Sequence, residues 1–363
     1  MKSRKHLVRW LAAAVLLAAG VEANAEPYLA AQMGFKCAMC HVNPTGGGMR
    51  NVYGNSFAQT VLAQKKIGAD EDLWTGQVMK FLSVGGNARA NFNYQDVPNQ
   101  DSTNDFEVEE ARAYLDFGVI PNRLSVYIDQ RFAPGNSTNM EANVRYWFKE
   151  GEYYVKAGRM YLPFGYRLED DNAFVRQSSG INMQAPDEGV EFGLERGSWT
   201  AQLAFSNGAG GGAELDNGKQ VVTRAEFVKP KWRAGASLLY NDTDLGARSG
   251  AGLFGGYVLG PVTLLGEVDY FDDDTIGDGT KLVSTLAEAD WKIHQGHNLK
   301  FTYEWLDPDD DVDENEQLRY SLLYEWSPIQ FVQLRAGVRV YDGIPQNDNQ
   351  NRKQAFIQLH GFF

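Results

Sequence analysis

The sequence predicts an all-β fold: a transmembrane outer-membrane β-barrel of about 16 antiparallel strands, with a small N-terminal helical segment in its lumen. Three observations predict it. Short segments of strict apolar/polar alternation begin near residue 82 and continue to the C-terminus. The connections between them alternate between tight and long. No segment after the first residues is long and apolar enough to cross a bilayer as a helix, which needs about 20 apolar residues.

Residues 1–25 read as a secretory signal. Lys2, Arg4, Lys5 and Arg9 form a basic stretch, residues 11–19 are apolar, and Ala23-Asn24-Ala25 is a small-residue cleavage site before Glu26. The apolar run is too short for an anchor. The whole chain carries a formal charge of −13, and loss of this basic leader leaves the remainder more acidic. Such a charge argues against nucleic-acid binding and for cationic partners or a hydrated acidic surface.

Residues 26–80 form a segment of different character. Cys37-Ala38-Met39-Cys40-His41 holds the only two cysteines of the chain. The C-x-x-C-H spacing lets two thiols form thioethers to haem vinyl groups while the adjacent imidazole ligates iron. One covalently bound haem c, held by Cys37 and Cys40 with His41 as proximal ligand, is therefore expected. A structural disulfide is the plain alternative. The three glycines of Gly46-Gly47-Gly48 let the following loop approach a flat macrocycle. Residues 56–66 read as a short helix with Phe57, Val61 and Leu62 on one face, and residues 70–79 as a second. Met49 and His360 are the candidates for a sixth iron ligand, beside an open site. A segment this small is marginal as an independent domain, and large barrels commonly hold a plug. The segment is thus expected in the periplasmic mouth.

Residues 81–363 supply the barrel. Ala88, Ala90, Phe92 and Tyr94 alternate with Arg89, Asn91 and Asn93, and Ala111, Ala113, Leu115 and Phe117 alternate with Glu110, Arg112, Tyr114 and Asp116. Leu318, Tyr320, Leu322, Tyr324 and Trp326 repeat the pattern near the C-terminus. One face is apolar and the other charged, as lipid outside and water inside allow. Tight turns fall at residues 121–123, 149–152, 196–198, 229–231, 260–261 and 327–328. Longer acidic loops fall at 96–105, 163–188, 207–218, 272–279, 307–316 and 342–351, which predicts short periplasmic turns and long external loops. A soluble β-sandwich shares the alternation but neither the number of strands nor the loop rhythm. The shared parity of Val155, Ala157 and Arg159 places a bulge or the barrel rim near Gly158. Arg89, Arg112, Arg131 and Arg145 point inward by parity. They serve either as haem-propionate partners, Arg89 and Arg112 first, or as a lumen ladder balanced by Glu110, Asp116 and Asp129.

The export signal, one C-x-x-C-H near the mature N-terminus, and an acidic barrel ending on Phe363 resemble the fused monohaem cytochrome c–porins. The resemblance covers the architecture of nearly the whole chain, and residue by residue Cys37, Cys40 and His41. It implies an outer-membrane electron conduit. A periplasmic c-type cytochrome would stand on one side and an extracellular cationic metal donor or acceptor, iron(II) among them, on the other, with outer-membrane lipid around the barrel. An iron(II)-oxidase-type activity is left open. A solute-selective porin with a haem-bearing plug or sensor is the alternative. The chain has no H-E-x-x-H, no G-x-S-x-G and no phosphate-cradling loop. The 163–165 region, after Gly158 to Leu162, has the flavour of a strand entering a porin constriction loop.

Overall fold

The structure, a computed structural model, describes residues 26–69 and 72–363; the export signal expected over residues 1–25 lies outside them. A stub, β1 (Gln77–Met79), pairs with the start of β2 (Leu82–Asp96). The wall continues through β3 (Thr103–Ile120), β4 (Leu124–Ala133), β5 (Thr138–Phe148) and β6 (Tyr153–Met160). Next come β7 (Asp187–Arg196), β8 (Trp199–Ser206), β9 (Gln220–Lys229), β10 (Trp232–Thr243) and β11 (Gly246–Leu259). The last are β12 (Val262–Asp273), β13 (Lys281–His294), β14 (His297–Asp307), β15 (Gln317–Ile329), β16 (Val332–Asp342) and β17 (Lys353–Phe362). Neighbours from β2 to β17 pair antiparallel, and β17 returns to β2 with Gln358 opposite Asn91. The 16 strands therefore close, and closure removes the unpaired edges that an open sheet would expose to lipid.

Alternation sets the two faces. On β2, Arg89 and Asn91 are buried in the lumen while Ala90, Phe92 and Tyr94 are exposed outward. Leu238, Leu253, Phe301 and Ile357 extend the same apolar exterior. Aromatics gather at the short-turn border: Phe148 stacks on Tyr153, and Phe227 lies between Trp199 and Trp232. An apolar band bordered by aromatic rings is the exterior that a bilayer covers. At Gly158 the pairing of β5 with β6 stays regular, with Asn143 opposite it, so Arg159 keeps the outward parity of Val155 and Ala157 at the rim, with no bulge there. Arg159 is the penultimate residue of the strand, held by Glu188 at 2.5 Å.

Inside lies the N-terminal segment. Helix α1 (Pro27–Met33) starts on a proline and stops at Gly34, whose φ of 67° closes the cap. Helix α2 (Val52–Phe57) runs into a π turn, Ala58–Leu62, so the helix expected over 56–66 begins earlier and ends earlier. The reason is Asn51, whose side chain accepts from the Gly54 amide at 3.0 Å and fixes the start. The second expected helix is absent among the described residues of 70–79, where β1 stands instead. The segment meets the barrel at its short-turn end: the Gln64 amide donates to the Ser327 carbonyl at 2.8 Å, and Gly34 abuts Pro230. Phe363 lies past the end of β17, edge-on to Trp74 of the same segment.

The loop expected outside over 163–188 spans residues 161–186 and folds into the lumen, in keeping with the constriction-loop flavour of residues 158–165. Phe164, Tyr166, Leu168, Phe174 and Val175 are buried there, Phe164 against Phe271 and Tyr166 against Phe254 of the far wall. The apolar content of this loop, which water would not favour, drives it inward. Its helix α3 (Phe174–Ser179) lies against β12, β13 and β14.

Candidate haem site

Cys37–Met39 forms one tight 3-10 turn, in which the amides of Cys40 and His41 both donate to the Cys37 carbonyl, at 3.1 and 3.0 Å. The turn brings both thiols and the imidazole together. Cys37 and Cys40 are free thiols, not a disulfide. The chain then folds back on itself: His41 bridges Arg50, Val42 donates to the Met49 carbonyl at 2.9 Å, and Asn51 to Cys40 at 2.9 Å. The Asn51 amide group points at the carbonyls of Ala38 and Met39, both at 3.1 Å, and of His41 at 3.3 Å. Asn51 thus caps α2 and pins the thiol-bearing turn at once, a role that no pattern in the sequence marks. Its replacement by Ala is expected to cost about 1 kcal/mol. Urea unfolding of the refolded barrel and faster proteolysis near residues 37–51 would register that loss; unchanged protection would refute it.

Gly47 and Gly48 have φ of 74° and 61°. A Cβ on Gly47 would meet Arg167 and Met183 of the inward loop, and one on Gly48 would stand 2.5 Å from the Tyr127 hydroxyl. The segment is tied to the wall around its circumference. The Asn43 amide donates to both Glu141 oxygens at 3.3 Å, the Met49 amide approaches Tyr127 Oη at 3.1 Å, and Tyr28 donates to Glu325 at 2.7 Å. Glu26 pairs with Lys300 at 3.0 Å and Arg335 at 3.2 Å.

Cys37, Cys40 and His41 line one narrow pocket of about 50 Å³, together with Leu29, Phe35, Phe57 and Tyr166. That lining suits a mainly apolar ligand. Four arginines also line it: Arg50, Arg167, Arg224 and Arg233. Arg224 and Arg233 share Glu226, at 3.0 and 2.5 Å. Arg167 donates to Thr45 Oγ1 at 3.0 Å and the Leu162 carbonyl at 3.1 Å, and its Nε is buried without a partner. The wall is therefore cationic. His41 is 4% exposed, with the Gly47 and Gly48 backbone beside its ring but neither ring nitrogen in a well-formed hydrogen bond. Burial, then the charge of Arg50, lowers its pKa to about 3, which keeps the imidazole neutral, the form that binds a metal. Burial likewise pushes the Cys40 thiol up to about 11.

Two free thiols, an unpartnered neutral imidazole and a cationic, mostly apolar cavity fit a haem c with its carboxylates. The other expected residues sit elsewhere. Met49 packs with Tyr114 and Tyr127, and His360 is buried with Nδ1 3.1 Å from Gln333 Oε1; neither lines the cavity. Arg89 pairs with Glu110 at 3.6 Å and Glu169 at 3.5 Å, and Arg112 with Glu110 at 2.6 Å and Asp129 at 3.2 Å. They are the lumen ladder and not cavity groups, because neighbouring strands already offer them carboxylates. The cationic wall comes instead from residues that the sequence reading did not single out. Arg224 and Arg233 were legible as inward positions of β9 and β10, whereas Arg167 sits on a loop without periodicity.

No protein-family model and no curated protein matches the chain. Solved structures match its fold. A loop-deleted OmpT of Vibrio cholerae aligns with a TM-score of 0.63 at 12% identity, over 78% of this chain and 100% of that one. An anion-selective porin from Comamonas acidovorans gives 0.61 at 13% identity, over 78% and 99%. OprB of Pseudomonas putida gives 0.60 at 10% identity, over 78% and 94%. At such identities the likeness is one of fold.

Proposed function

We propose that this porin-like barrel sits in the outer membrane and carries one haem c in its lumen, through which electrons pass between the periplasm and the exterior. The observation that carries the reading is the set of Cys37, Cys40 and an unpartnered His41 on one arginine-lined pocket inside a closed barrel. The haem, when bound, supplies a reversible one-electron couple. Cys37 and Cys40 would hold it covalently, His41 would ligate the iron, and Arg167 with Arg50 would face its carboxylates. The barrel wall and the inward loop keep bulk water from the cavity, which strengthens each charge interaction there.

The short turns would face the periplasm and the long acidic loops the exterior. Space of about 1200 Å³ opens at the short-turn end beside His41, and about 560 Å³ at the other end between β2, β3 and the inward loop. A metal ion at the outer end is the cationic donor or acceptor in this reading, iron(II) included. A periplasmic c-type cytochrome is the partner at the inner end.

Two measurements test it. A haem-stained denaturing gel should show a band that Cys40→Ser abolishes. In proteoliposomes oriented by a protease site at Asp310, haem should be reduced by membrane-impermeant reductants from both sides. An unstained wild-type band refutes the haem, and reduction from the short-turn side alone replaces the conduit with a solute porin bearing a haem plug.

A further inference from the structure

The chain is acidic overall, yet its short-turn end is not. The tips there expose Arg123, Lys149, Arg196, Lys229 and Lys231, against Glu150 and Glu152, the latter 3.4 Å from Arg196. The long-loop end carries the acidic runs Asp272-Asp273-Asp274 and Asp309-Asp310-Asp311. The molecule is thus an electrostatic dipole along the barrel axis. Arg123, Lys149 and Lys229 line the same open cleft as Ala38, Met39 and His41. On its floor Met39 of the thiol-bearing turn is 46% exposed, and beside it on α2 Val52 (52%) and Tyr53 (42%) also stand in water. Tyr53 is held edge-on to Phe35 at 5.7 Å, so the patch is built and not frayed.

We infer that this cleft docks a soluble electron-carrier protein whose contact face is acidic. The inference rests on the conduit reading for its purpose, though not for its geometry. A small apolar centre ringed by one sign of charge suits weak, fast association: the rim steers and orients, and the limited apolar area leaves the complex short-lived. The rim is basic, so the fitting partner is acidic. A basic carrier would be repelled here and drawn to the opposite end. The anionic lipid surface is the competing occupant of these basic tips. It is disfavoured because Met39, Val52 and Tyr53 belong to the segment inside the barrel and not to the lipid-facing belt.

The test uses the full chain in nanodiscs of zwitterionic lipid, with an acidic plant-type ferredoxin and a basic mitochondrial-type cytochrome c as probes. Surface plasmon resonance at about 0.02 M and about 0.5 M salt reads association at the short-turn face. The ferredoxin should associate about tenfold faster with wild type than with Arg123→Glu/Lys149→Glu/Lys229→Glu, and high salt should erase the difference. The cytochrome should show the reverse preference at that face. Equal ferredoxin binding by wild type and variant overturns the inference. So does a variant whose one defect is weaker association with anionic vesicles, which assigns the tips to lipid. Cys37→Ser/Cys40→Ser should keep the charge-dependent binding. Binding that persists without electron transfer would sink the conduit reading alone; loss of charge dependence in haem-loaded protein sinks this one alone.

Discussion

Arg176→Met is expected to destabilise the barrel by about 3–5 kcal/mol. Arg176 stands on α3, inside the lumen and almost fully buried. Its guanidinium contacts Glu267, donates to the Phe164 carbonyl at 3.0 Å and lies 3.8 Å from Asp269 Oδ2. Glu267 and Asp269 are neighbours on the inner face of β12 and both are buried. Removing the one cation between them leaves two carboxylates without compensation in a water-poor interior, and that penalty exceeds the lost contact itself. Glu267 still accepts from the Tyr166 amide at 2.9 Å, so the inward loop should loosen rather than leave. Urea unfolding should show the loss, and planar-bilayer recordings should show raised conductance as the loop moves. The double variant Arg176→Met/Glu267→Gln should recover part of the loss. If the double is as unstable as the single, the ion pair is not the cause.

Gly48→Val should release the loop that follows the Cys37–Met39 turn, at a cost of about 2–4 kcal/mol. Two independent effects add. Gly48 has a φ of 61°, where a β-branched residue is strained. Its new Cβ would also stand 2.5 Å from the hydroxyl of Tyr127, a fully buried ring that cannot yield. The loop is held by Asn43 on Glu141 and by Met49 on Tyr127, contacts of one or two bonds each, so the strain should displace the loop before the barrel. Expected results are cleavage by added protease within residues 43–50 and higher ion conductance. Tyr127→Phe removes the clashing oxygen, so Gly48→Ala should be milder in that background than in wild type. Equal cost in both backgrounds would assign the effect to backbone strain alone and remove the packing argument.

The barrel was readable because strand periodicity is local. Arg89 and Phe92 differ in face for a reason contained in three residues, and lipid outside and water inside both enforce it. That Cys37, Cys40 and His41 share one turn was readable because their spacing is a single turn of chain. The inward loop was misplaced because its length and acidity spoke for the exterior, although Phe164, Tyr166 and Val175 carried a contrary apolar signal. The helix bounds shifted because capping by Asn51 depends on which carbonyls lie nearby. The sixth-ligand candidates were chosen by proximity along the chain and by parity, neither of which reports distance from a cavity.

Sequence alone therefore determined the closed alternating wall, the inward direction of its arginines and the turn that presents Cys37, Cys40 and His41. Each follows from a period or a spacing that a few consecutive residues contain. Tertiary structure decided which arginine meets which carboxylate and that residues 161–186 fill the lumen. It also decided that Arg167, from that loop, faces the same cavity as His41. Several of those facts, such as Arg335 on Glu26 and Arg167 beside His41, join residues more than a hundred positions apart. Buried charge and apolar surface choose among many partners there, and the winner depends on the space left when the barrel closes.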